Sequence, residues 1–207
     1  MERKKIVTSI SGIVTGGLFV AIVMGSGLFA YKATNRMIDF VDITERQWDK
    51  EVSAIAKQFR LSFERPEELK IFRAQDSGVE ISRQFATKGD HSLLVEFPPQ
   101  KKYPGISFDL SGQECLDWSR MKEFSFDTFN IVNKSKVLIV QIRSGDKYPK
   151  REFKKEFTLP ALEKSTISIS REELAKKLDL NKVSHLTIFM VKPKTTFRVF
   201  FDNMRID

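Results

Sequence analysis

The chain has 207 residues, with 35 Lys and Arg against 27 Asp and Glu, a formal net charge of +8. A single cysteine, Cys115, excludes an intrachain disulfide and a multi-cysteine metal centre. The basic residues are scattered rather than blocked, which argues against nucleic acid as a partner and suits acidic polymers or an anionic surface.

Residues 6–30 hold no charged side chain, and Arg3, Lys4 and Lys5 stand directly before them. About 20 apolar residues cross a bilayer core as a helix. The basic flank predicts a single transmembrane anchor whose tail, residues 1–5, stays in the cytoplasm and whose remaining chain lies outside. A cleaved signal peptide is the alternative; its apolar region of about 7–15 residues is shorter than this run. Residues 1–30 contain three basic side chains and one acidic, Glu2, so the later part keeps an excess of +6.

Residues 31–60 read as a stalk. Ile43, Trp48, Val52, Ile55, Ala56 and Phe59 recur at helical spacing, and Thr44 with Gln47 has the form of a capping box. From Leu61 to Asp207 the pattern changes to short alternating runs. Strands are predicted over residues 79–85, 92–97, 105–110, 124–129, 136–143, 153–159, 165–170, 185–191 and 196–201. Turn signals separate them, and residues 171–178 form one short helix with Ser170 as N-cap. The 18 Phe against 2 Trp and 3 Tyr point to a core built from rings without a polar handle, with Trp118 a core plug. This order predicts an all-β domain, an antiparallel β-sandwich of jelly-roll type, following the transmembrane helix and the stalk.

Seven segments in order carry a resemblance: Ser62-Phe63-Glu64, Val79-Glu80-Ile81-Ser82, Ala86-Thr87-Lys88-Gly89-Asp90-His91-Ser92-Leu93, Tyr103-Pro104-Gly105-Ile106, Asp117-Trp118-Ser119, Phe124-Ser125-Phe126-Asp127 and Phe201-Asp202-Asn203-Met204-Arg205-Ile206. Together they resemble the galactose-binding-domain-like jelly rolls, which include bacterial carbohydrate-binding modules and the complex I intermediate-associated protein domain. The resemblance implies a structural calcium where the first strand, the glycine loop and the last strand meet. The residues it assigns to the ion are Glu64, Lys88, Asp90 and Asp202, with Ser62 standing where the family often has an acid. A calcium ion takes 6–8 oxygen ligands, so losing that carboxylate weakens the set.

Sugar recognition needs aromatic faces for pyranose rings and polar groups for hydroxyls. The candidates are Tyr103 and Tyr148 in proline-containing loops, with Gln141, Arg143 and Arg151. Gln141 and Arg143 project opposite the inward Leu138, Val140 and Ile142. An ordinary solvated strand face with two loop tyrosines is the competing reading. His91 and His185, the only histidines, are not paired by any motif, and no nucleophile elbow, zinc helix or phosphate loop occurs. The expectation is a non-catalytic, membrane-anchored module for an envelope or extracellular polysaccharide. The alternative is an assembly module with an envelope protein as its partner.

Overall fold

The computed structural model describes residues 59–109, 116–145 and 151–207. The expected anchor at residues 6–30, most of the stalk, Tyr148 and Cys115 lie outside these residues. Among the described residues no helix is long and apolar enough to cross a membrane.

Two antiparallel sheets are formed. The six-stranded sheet contains β1 (Arg60–Leu61), β3 (Gly78–Ser82), β4 (Ser92–Phe97), β6 (Glu123–Asn130), β9 (Lys164–Ser170) and β11 (Phe197–Ile206). Its order is β3-β4-β11-β6-β9, and β1 also pairs with β11. The five-stranded sheet runs β2-β5-β10-β7-β8, from β2 (Phe72–Gln75), β5 (Gly105–Asp109), β10 (Val183–Phe189), β7 (Lys136–Ser144) and β8 (Arg151–Leu159). From β4 onward the chain passes repeatedly between the sheets, the connectivity of a jelly roll.

Alternation builds the core. Leu93, Val95 and Phe97 on β4 are fully buried, as are Phe124 and Phe126 on β6 and Phe197, Val199 and Phe201 on β11. From the other sheet, Ile106, Phe108, Leu138, Val140, Ile142, Leu186 and Ile188 are equally dry. Phe59 joins the layers: its ring lies 5.5 Å from Phe108 of one sheet and 5.9 Å from Phe124 of the other. Trp118 lies 5.8 Å from Phe59 and 5.7 Å from Phe124, the core plug expected of it.

Several boundaries differ from the sequence reading. Phe59 and Arg60, assigned to the stalk, belong to the sandwich; Phe59 has φ +37° and is fully buried. β11 continues five residues past Phe201, because Asn203 at φ +49° forms a bulge that resets its register against β6. The bulge turns Met204 into the core opposite Leu61, breaking the two-residue period by which a strand is recognised. β2 was not expected, since only Phe72 of its four residues is buried. On β6 the face opposite Phe124 and Phe126 is not solvated: Ser125 and Asp127 are buried as well. Ser170 does cap the helix, α1 (Arg171–Ala175), by accepting the Glu173 amide at 3.2 Å; the helix is shorter than the expected span.

The aromatic joint sets the first prediction. Phe124→Ala is expected to destabilise the chain by about 3–5 kcal/mol, since it removes a fully buried ring. Denaturant unfolding of the full chain checks this, and a loss below about 1 kcal/mol would show that the joint is not holding the sheets.

Candidate functional site

The outward residues of the five-stranded sheet follow from register. Arg73, Ser107, Thr187, Gln141 and Lys154 are cross-strand partners in one row. The adjoining row runs Gln75, Gly105, Phe189, Ile139 and Glu156. Ser107 and Thr187 keep the first row short between Arg73 and Gln141, and Gly105 does the same beside Gln75 in the second. The result is a groove of about 370 Å³ lined by Gln75, Tyr103, Gln141, Arg143, Lys154, Thr187 and Phe189. Gly105 is required at its floor, because a Cβ there would collide with the Ile188 carbonyl and with Phe189.

Phe189 is largely covered, yet it stands outside the main core cluster. Its covers are the Tyr103 ring, edge-on at 5.7 Å, and the Lys154 ammonium, 5.7 Å from the ring centre. Tyr103 keeps 49% of its surface exposed, so an aromatic face is open to a ligand. Lys102 lies over the same tyrosine at 5.3 Å.

Glu152 on β8 organises the polar wall. Its carboxylate accepts from Arg143 Nε at 3.0 Å, and the Gln141 side-chain amide also favours its charged form. Burial works against its charge, but these two donors and the nearby Arg143 and Lys154 charges outweigh it and hold the carboxyl below its ordinary range. The acceptor therefore remains ionised at neutral pH and keeps Arg143 oriented.

Three of the five residues expected at a sugar site, Tyr103, Gln141 and Arg143, thus meet in one groove. Arg151 is exposed at the start of β8, opposite Ser144, and does not line it. Gln75, Lys154, Thr187, Phe189 and the positioning residue Glu152 were missed. Lys154 was legible, since it follows two residues after Glu152 on an alternating strand. The Gln75 and Phe189 contributions depend on strand pairing that sequence does not display.

The residues assigned to calcium gather around the loop between β3 and β4. Glu64 Oε1 accepts the amides of Asp90 and His91, both at 2.9 Å, and Oε2 meets His91 Nδ1 at 3.1 Å. Asp202 Oδ2 accepts the Thr87 amide at 2.5 Å and the Lys88 amide at 2.7 Å, with Thr87 Oγ1 3.0 Å away. Asp127 closes the set by accepting from Thr87 Oγ1 and Thr166 Oγ1, each at 2.6 Å. Gly89, at φ +80°, leaves room for the Glu64 carboxylate where any Cβ would collide with it. Lys88 and Asp90 contribute amides to this arrangement. Among the described residues, no three His, Cys, Asp or Glu side chains are grouped to hold a metal. Here the carboxylate oxygens accept N–H and O–H donors of the loop, contacts that a calcium ion on the same oxygens would have to replace. Ser62 is engaged by its backbone: its amide and that of Phe63 donate to the buried Glu68 carboxylate at 3.0 and 2.7 Å.

No protein-family model matches the chain, and no curated protein matches its sequence. Solved structures do match in fold. An exo-beta-agarase aligns at TM-score 0.61 and 15% identity, over 71% of this chain and 24% of that one. The family 11 carbohydrate-binding module from Clostridium thermocellum, in complex with a beta-1,3-1,4-mixed-linked tetrasaccharide, aligns at TM-score 0.55 and 14% identity. That alignment covers 71% of this chain and 94% of the module. The agarase AgWH50C aligns at TM-score 0.55 and 13% identity over 70% of this chain and 25% of that one.

The loop contacts carry a pH prediction. His91, by its side chain and then its amide, is the main cause holding the Glu64 carboxyl below its ordinary value of 4.5. A carboxyl depressed on folding adds stability that is full above the unfolded value and is lost as pH falls through the folded one. Thermal unfolding of the full chain from pH 7 to pH 3 is expected to show a loss below about pH 4.5 that shrinks in Glu64→Gln. Added calcium or chelator is expected to leave the unfolding temperature in place; a rise with calcium would show that the carboxylates exchange their donors for the ion. In sheet order and connectivity, the described domain is an antiparallel β-sandwich of jelly-roll type, a fold it shares with these solved structures.

Proposed function

We propose that this chain is a non-catalytic carbohydrate-binding module, held at a membrane by residues 6–30 and facing the periplasm or cell exterior, where it binds an envelope or extracellular polysaccharide. The observation that carries the reading is the groove itself. On one sheet face it combines an exposed tyrosine, a second ring beneath it, two carboxamides, a hydroxyl and an arginine fixed by Glu152. Such a set offers an apolar face to a pyranose ring and fixed donors and acceptors to its hydroxyls. It binds and orients, with no general acid or nucleophile placed beside a base in the groove. Anchoring gives a weak sugar contact the benefit of high effective concentration at the membrane.

Protein assembly is the second reading, favoured by the opposite sheet. Phe85 is 42% exposed there, stacked at 4.0 Å on Phe129 and 4.8 Å from Phe200. An exposed ring cluster of this kind also suits a protein surface.

A panel of neutral and acidic polysaccharides, tested against the full-length chain by affinity electrophoresis and calorimetry, separates the two. Binding is expected, with Tyr103→Ala and Gln141→Ala each weakening it by about tenfold or more. Silence across the panel from a folded chain would retire the sugar reading. A crosslinked protein partner lost on Phe85→Ser would then establish the second.

A further inference from the structure

We infer that the groove prefers acidic glycans, with Arg143 and Lys154 receiving a carboxylate or sulfate group on the sugar chain. The inference rests on the glycan-binding reading of the same groove and adds the class of ligand. Of the side chains lining the groove, two are cationic and none is acidic. The pair sits on adjacent strands: Arg143 is the register partner of Glu152, and Lys154 is two residues further along β8. Diagonal neighbours on a sheet face lie about 7–8 Å apart, within reach of two long side chains converging on one anionic substituent.

Glu152 does not cancel this arrangement. It engages Arg143 through Nε, the side of the guanidinium away from its forked end. The Nη pair is the part of the group that matches an oxyanion by parallel hydrogen bonds. Arg143 keeps 40% of its side chain exposed while so held. The ion pair therefore acts as a brace, lowering the entropic cost of ordering the arginine for a ligand. Lys154 is held over the Phe189 ring, which positions the ammonium on the groove wall beside the surface a pyranose would cover. The depression on the other sheet has the reverse character, since Glu80 and Glu96 line it with Arg198, and Arg198 pairs with Glu96 at 2.6 Å. Cationic lining is thus a property of one face and not of the whole domain.

Matched probes test the inference: xylo-oligosaccharides with and without glucuronic acid branches, and agaro-oligosaccharides with and without sulfate esters, each titrated against the full-length chain. In at least one pair the charged member is expected to bind about tenfold tighter than its neutral partner at low salt, the scale of one charge-assisted contact. That ratio is expected to fall as salt rises, and to shrink in Arg143→Gln and in Lys154→Gln. Arg143→Lys, which keeps the charge and loses the fork, separates the two contributions, and unfolding curves verify that each variant folds. The carboxylate and sulfate arms identify which anion is read. Equal affinity within both pairs would overturn the inference while leaving sugar binding intact. A charged preference untouched by both substitutions would overturn it by placing the readout elsewhere. Silence toward all four probes would overturn it too, and the broad polysaccharide panel then decides whether the sugar reading survives.

Discussion

The aromatic joint at Phe59, Phe108, Trp118 and Phe124 is the contact on which the sandwich depends. These rings, with ring-centre separations of 5.5 to 5.9 Å, fill the space between the two sheets. Phe brings large apolar area and no group that must find a polar partner, so a dry layer can be filled densely. The cost is visible at one atom: the Trp118 indole N–H is buried without a hydrogen-bond partner among the described contacts. Because the interior is satisfied by the inward halves of the strands, the outward halves are free to differ between the sheets.

They differ in a way that divides labour. On the six-stranded sheet, the loop between β3 and β4 is drawn onto the outer face by Asp127 and Asp202, which are almost fully buried beneath it, and by Glu64 at its end. Buried carboxylates are tolerable only when donors satisfy them, and here backbone amides and threonine hydroxyls do so. Much of that face is therefore occupied by the loop it holds. On the five-stranded sheet no loop among the described residues crosses between Tyr103 and Lys154, and Gly105, Ser107 and Thr187 keep the middle low. A groove results from what the strands omit as much as from what they present.

Much of this was legible in the sequence, for a physical reason. Strands with one buried face show their period directly, so 92–97 and 136–143 were located almost residue for residue, and Gln141 and Arg143 were placed outward from the inward Leu138, Val140 and Ile142. Where alternation fails, the reading failed with it. The Asn203 bulge hid the second half of β11, the single buried ring of β2 hid that strand, and Phe59 looked helical because its spacing matched residues that precede the sandwich. The loop contacts were half legible. The motif pointed to Glu64 and Asp202 as the carboxylates that gather the loop, but spacing does not tell whether a carboxylate gathers it through a cation or through amides.

The groove shows why pairing matters more than composition for a site of this kind. Tyr103, in the loop before β5, and Lys154, on β8, are 51 positions apart, yet both rest on Phe189. Glu152 exerts a similar control from the edge strand, where a charged residue also discourages further strand addition. By holding Arg143 it gives a flexible side chain a fixed direction, and preorganisation of that sort raises affinity without adding contact area. A basic excess spread over the chain would draw in any polyanion; two cations braced on one face, beside open rings, can discriminate among them.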